Sequence, residues 1–318
     1  MNKERVVTPE KMFPEVPEKI FLFRSCTGSM EYPGTENAIK EVMKSLGIEI
    51  VMDPDQTCCS GYLLTCSAYK PEFSLAVTAR NLSIVERHGL DTYMFCNGCM
   101  GYNLELAHIM HEHPEYKQMA NDVIAKQGYH YEGKTEIHHV QELWYRLKDE
   151  IAARVVHPLN GLRVAVHYGC HYLAIQYNIL DDAGYPTFHE EIIEALGGTP
   201  VYYKERQMCC GYSVGRGFTH KETLVQPQLY KKFKSAKEAG VELMTTCCPG
   251  CNTALDREQP NLTKRYEEEF AIPVIDIGQL IGLAMGVPLE KLGFDANTIR
   301  MDGVLKKLGI GKGDNHDN

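Results

Sequence analysis

The chain has 318 residues, enough for two domains of ordinary size, each able to bury its own core. Its 44% hydrophobic and 24% charged residues exclude a disordered or collagen-like protein. A formal charge of −9 without any Lys/Arg-rich block argues against nucleic-acid binding.

Residues 1–19 contain neither an apolar stretch nor a small-residue cleavage site. No secretory signal is expected, and the protein is expected to stay in the cytoplasm. Residues 20–23 predict a strand ending just before Cys26. A helix follows, with Ala38, Ile39, Val42, Met43 and Leu46 on one face and Gly47 as its stop. Residues 48–52 predict the next strand, with Cys58-Cys59 shortly beyond it. Leu75, Ala79, Leu82 and Val85 mark a second helix, and 92–95 a strand leading directly into Cys96-Asn97-Gly98-Cys99.

The second half repeats this order. A strand at 164–166 leads to Cys170, a helix around 192–196 stops at Gly197-Gly198, and a strand at 201–203 leads toward Cys209-Cys210. A helix at 224–239 ends at Gly240, and a strand at 243–245 delivers Cys248 and Cys251. The apolar run at 272–289 contains Pro273, Asp276, Gln279 and Pro288. It reads as a short strand at 274–275 and a buried helix at 277–285, not a membrane span. The tail after Asp302 is expected to fray.

Strands alternating with helices predict an α/β fold of two similar domains, each a small parallel sheet with helices on both faces. The boundary is expected near residues 157–161, giving domains 1–157 and 158–318. Every motif cysteine then lies just past the carboxyl end of a strand, where open α/β sheets place ligands and helix N-termini offer N–H groups.

Ten of the twelve cysteines thus form one pattern written twice: Cys26, Cys58-Cys59, Cys96 and Cys99, then Cys170, Cys209-Cys210, Cys248 and Cys251. A CxxC step turns two thiolates toward one metal, which suits zinc or iron. Adjacent cysteines diverge and more easily grip two metals of a cluster. A fifth thiolate is surplus for a structural zinc site, and soft thiolates select iron–sulfur clusters among redox centres. Two all-thiolate zinc sites remain the non-enzymatic alternative. Cys66 and Cys247 fall outside the repeat and read as packing residues. His111 and His113, like His138 and His139, lack the spacing of a helical metal pair.

The doubled arrangement, with Cys-Cys-Ser-Gly at 58–61, Cys-Cys-Gly at 209–211 and HYGCH at 167–171, resembles the paired CCG domains of the B subunits of cytoplasmic heterodisulfide reductases. The likeness covers roughly residues 19–292. It implies two non-cubane 4Fe-4S clusters, one on each cysteine set, and reduction of the CoM-S-S-CoB disulfide to coenzyme M and coenzyme B thiols between them. No ferredoxin-type cysteine run is present. The resemblance therefore implies electrons arriving from a ferredoxin-like C subunit, fed by a flavin-containing, electron-bifurcating A subunit, with a hydrogenase or formate dehydrogenase beyond. His167 and His171, beside Tyr168 and Cys170, are candidate proton donors. Arg24, Lys204, Arg206, Arg216 and Lys221 are candidates for the substrate's anionic groups. The alternative within the superfamily is an iron–sulfur component of lactate, glycolate or glycerol-phosphate oxidation, or of fumarate reduction.

Overall fold

The computed structural model describes residues 8–59, 70–175, 180–182, 184–212 and 219–311. Among them lie two four-stranded sheets, each parallel throughout. The first comprises β1 (Lys19–Phe23), β2 (Glu49–Val51), β3 (Thr92–Met94) and β4 (Ile137–His139) in the order β2-β1-β3-β4. The second repeats it as β6-β5-β7-β8, with β5 Arg163–His167, β6 Thr199–Pro200, β7 Leu243–Thr246 and β8 Val274–Asp276. Ile20, Leu22, Val164 and Leu243 are fully buried, as expected of central parallel strands covered on both faces.

Three features differ from the sequence reading. β4 was not anticipated, because His138 and His139 mask its strand character; its neighbour across the sheet is β3, through Thr92–Ile137 pairing. The expected strand at 201–203 lies earlier, at Thr199–Pro200. Pro200 is tolerated because β6 is an edge strand needing no donor on its outer side. The first part of the tail expected to fray is ordered: Asp302–Leu308 is a helix whose Val304 is buried, ended by Gly309, while residues 312–318 lie outside the described residues.

The halves are joined by exchanged packing. Helix Pro33–Ser45 of the first half lies on helix Ile277–Ala284 of the second, while helix Phe188–Ala195 of the second lies on Val140–Arg146 and Lys148–Ala152 of the first. These pairs correspond to each other in the repeat, so the interface is two-fold-like. Arg257–Glu31 (2.9 Å), Lys291–Glu41 (2.7 Å) and Lys148–Glu191 (2.7 Å) ion pairs fringe it. One apolar core runs continuously through both halves.

That core encloses His189, whose ring stacks on Tyr168 with centroids 4.8 Å apart and whose two ring nitrogens have no hydrogen-bond partner. Burial, aided by His139, pushes its pKa down to about 3. The unfolded chain takes up this proton below about pH 6.5, whereas the folded chain does not until near 3. Stability is therefore lost as pH falls through this window, by about 2 kcal/mol at pH 5. His189→Phe is expected to remove that loss. Urea unfolding should show a gain about 2 kcal/mol larger at pH 5 than at pH 7.5; equal gains would contradict the assignment.

A candidate metal centre between the halves

Each cysteine set is delivered by the same local devices. Ser25 caps helix Cys26–Met30, its hydroxyl accepting from the Gly28 N–H. Cys96 and Cys248 are themselves the N-caps of helices Asn97–Glu112 and Pro249–Arg257. The thiols thus sit among unpaired backbone N–H groups and the positive ends of helices, which favour thiolates.

The two sets meet. Cys96 and Cys248, from different halves, bring their sulfurs to 3.8 Å. Cys210 and Cys251 are 3.3 Å apart, and Cys170 and Cys209 3.8 Å. These separations are far beyond the roughly 2.05 Å of a disulfide, and every described cysteine is a free thiol. A cavity of about 110 Å³ opens between the halves. All ten motif cysteines except Cys58 and Cys209 line it, with Thr27, Asn97, Tyr102, His171 and Tyr212 completing the wall. In each Cys-Cys pair the second residue lines the cavity and the first does not.

The crossing is fixed by Asn97, inside the first CxxC. Its amide donates to the Tyr168 carbonyl at 2.7 Å and to Cys247 Sγ at 3.4 Å. Gly169 has φ +76, and a Cβ there would collide with the Asn97 amide, so only glycine fits this close approach. Cys247 is buried and donates to the Tyr168 carbonyl at 3.0 Å. Cys66 lies outside the described residues.

So many thiols at contact distance cannot ionise together. Hydrogen bonds from Cys170 and Cys210 pull Cys209 down to about 2. Cys248 is lowered by hydrogen bonds from Cys251 and Cys96, with backbone N–H groups of Cys251 and of Gly98 in the other half adding to it. Hydrogen bonding to those thiolates pushes Cys96 and Cys170 up, while Cys251 is raised by its hydrogen bond with Cys210 first and with Cys248 second. One anion suppresses its neighbours, and only cations among the sulfurs would let every thiolate form. The donor set, soft and crowded, fits iron–sulfur ligation.

His171 lines the cavity, its ring edge-on to Tyr102 at 5.0 Å. His167 stands behind the second set, with a ring nitrogen and the Cys210 and Cys251 sulfurs all within 4.8 Å of one another. Burial, then the Lys232 charge, pushes His167 down to about 3, so at neutral pH it is an uncharged ring with one N–H to offer. The candidate basic residues that are described do not line the cavity. Arg24 is exposed beside Glu36 (3.4 Å), Lys204 is exposed, and Lys221 pairs with Glu258 at 2.5 Å. Arg206 is buried, 3.2 Å from Glu190, with its guanidinium against the rings of Tyr168, Tyr185 and Tyr202. Arg216 lies outside the described residues. The sequence reading did not single out Asn97, Tyr102 or Tyr212. Their only signal is position: within the CxxC, one helical turn after Cys99, and just after Cys210.

The CCG family, described as a cysteine-rich domain, matches residues 20–103 and 164–256, one match in each half. The chain is 32% identical over 293 residues to the B subunit of the ferredoxin/F420H2-dependent CoB-CoM heterodisulfide reductase of Methanosarcina acetivorans, covering 91% of this chain and 97% of that one. It is 28% identical to the membrane anchor subunit of the 8-methylmenaquinol:fumarate reductase of Wolinella succinogenes, over 87% of this chain and 95% of that one. The crystal structure of a hypothetical protein from Helicobacter pylori shares the fold, with a TM-score of 0.70 and 16% identity over 90% of this chain; the chain spans 53% of that protein's length. Among the described residues no helix is long and apolar enough to cross a membrane. The matches make the chain an iron–sulfur CCG component of an oxidoreductase system. With a cysteine-rich domain in each half and 32% identity along nine-tenths of its length, the chain belongs to the family of heterodisulfide reductase B subunits with paired CCG domains.

Proposed function

We propose that the chain is the catalytic component of a cytoplasmic heterodisulfide reductase, converting CoM-S-S-CoB, two electrons and two protons into the two thiols. The observation that carries this reading is that cysteines of both sets line one cavity. Cys26, Cys58, Cys59, Cys96 and Cys99 of domain 1–157 would hold one non-cubane 4Fe-4S cluster. Cys170, Cys209, Cys210, Cys248 and Cys251 of domain 158–318 would hold the other. Such centres, when bound, supply one-electron transfer and a Lewis-acidic iron with affinity for sulfur.

The protein's own residues supply the rest. Asn97 and Gly169 fix the two walls at a set spacing, so a disulfide entering the gap meets both sets at once. Tyr102, Tyr212 and His171 wall the cavity with rings, which limits water beside the reacting sulfurs. His171 is positioned to hand a proton to a departing thiolate, and His167 to donate an N–H to the second set. Electrons would come from a ferredoxin-like C subunit and a flavin-containing, bifurcating A subunit, coupled to a hydrogenase or formate dehydrogenase. The name of the Methanosarcina relative, which includes ferredoxin, supports an iron–sulfur donor.

Anaerobically purified protein tests the reading. Iron and acid-labile sulfide in amounts matching two centres, and release of two thiols per CoM-S-S-CoB with a reduced viologen dye as donor, are expected. Stoichiometric zinc without sulfide, or loaded centres that release no thiol, would contradict it. Cys247→Ser is expected to keep the iron content of the wild type, because this thiol is engaged by the Tyr168 carbonyl. Loss of iron in that variant would show that the ligand sets are drawn wrongly.

A further inference from the structure

Beneath the two-fold likeness the cysteine sets have different backing. Asn81 stands 23 residues after Cys58, and Lys232 occupies the same place after Cys209. Both are fully buried. Asn81 donates to the carbonyls of Thr57 and Cys58 and accepts from Thr57, tying down the first Cys-Cys loop with a neutral group. Lys232 ties down the second with an amine, donating to the carbonyls of Glu205 and Arg206 and to the Tyr203 hydroxyl.

The bonding pattern suits a charged amine. Tyr203 gives its own proton to the Val166 carbonyl at 3.3 Å, so its oxygen accepts from Lys232. All three Lys232 partners are therefore acceptors, which is the complement of an ammonium with three donors and no lone pair. Burial pushes its pKa down to about 7, and the thiols of Cys210, Cys251 and Cys209 favour the charge. Among the described residues no carboxylate forms an ion pair with Lys232; Glu205, whose backbone it binds, acts on it less than those three thiols do. Arg206 beside it is matched by Glu190, and Arg24 near the first set is exposed and matched by Glu36. A buried cation with no ion-paired carboxylate acts through a low dielectric, whereas Arg206 is neutralised by its partner and the exposed Arg24 is also screened.

Resting on the function proposed above, we propose that Lys232 makes the centre held by Cys170, Cys209, Cys210, Cys248 and Cys251 the more readily reduced of the two. Its charge stabilises an added electron there, and Asn81 gives the first centre no equivalent. The first electron to enter the protein resides on the second centre; no bond is made or broken, and the donor is oxidised by one electron. The gap then holds a reduced wall and an oxidised wall before the second electron arrives.

A dithionite titration of the anaerobic, iron-loaded full-length protein, followed by low-temperature EPR, tests this. Signals are assigned with Cys210→Ala and Cys59→Ala, each of which removes or alters one. In the wild type the signal that appears first is expected to be the one changed by Cys210→Ala. In Lys232→Met, with iron content unchanged, the preference for the second centre is expected to fall tenfold or more, about 59 mV or more for one electron. A first signal changed by Cys59→Ala instead would overturn the proposal, and needs no Lys232 variant to fold. So would an unchanged ratio in iron-loaded Lys232→Met. Wild-type protein without iron would overturn the functional reading and this inference together.

Discussion

Cys210→Ala is expected to abolish turnover and to halve the iron of the purified protein, leaving one centre's spectrum intact; Cys59→Ala should do the same to the other centre. Both residues line the shared cavity, whereas the other member of each adjacent pair does not. On the proposed ligand sets, losing that thiol removes a ligand from the wall where the disulfide would react. The Cys210 sulfur also lies 3.3 Å from that of Cys251, so its removal changes the surroundings of a second proposed ligand. The activity loss should exceed the roughly 100-fold typical of removing an outer partner of a metal ligand. Iron analysis and EPR of each variant check this. Full iron with wild-type activity in either variant would contradict the ligand sets.

The second large effect is expected where no cysteine is involved. Gly34 opens helix Pro33–Ser45 of the first half and touches the second half at Leu292 and Gly293. A Cβ at Gly34 would collide with the Leu292 carbonyl oxygen and approach the Gly293 Cα to 2.8 Å. Both obstacles are backbone, so no rotamer change relieves them. Gly34→Val is expected to lower stability by about 3 kcal/mol or more, the upper range for overpacking. Because this contact helps set how the halves meet, iron should be lost from both centres and not one. Gly303→Ala, whose Cβ meets nothing within 4 Å, serves as the control and should be near neutral. Urea unfolding with parallel iron analysis decides it. A Gly34→Val protein with wild-type stability and full iron would contradict the account of the interface.

Much of the fold could be read from the chain because central parallel strands are plain apolar runs. The segments ending at Phe23, Met94, His167 and Thr246 were found near their ends for that reason. β4 escaped because two histidines interrupt its pattern. Its counterpart β8 was visible, and the match of Gln141-Glu142-Leu143 with Gly278-Gln279-Leu280 was too short a likeness to carry the strand across. The helix Asp302–Leu308 escaped because a short segment with Gly303 and paired lysines reads as polar tail.

The cysteine sets were legible from spacing alone, since the repeat carries them at strand ends. How closely they meet was not. Nothing in the spacing predicts the 3.8 Å approach of Cys96 to Cys248, which depends on Asn97 reaching the Tyr168 carbonyl across the interface. Lys232 was hidden for another reason. It lies among Lys231 and Lys234 on a helix whose polar face looks solvated, and only tertiary packing turns it inward.

Diffraction from anaerobically grown crystals, recorded on both sides of the iron absorption edge, tests the central claim most directly. The account predicts two separate groups of iron density facing one cavity, the first bounded by Cys26, Cys58, Cys59, Cys96 and Cys99 and the second by the matching five thiolates. A single tetrahedral ion in either place, or iron density that leaves one of those ten sulfurs unbound, would contradict it.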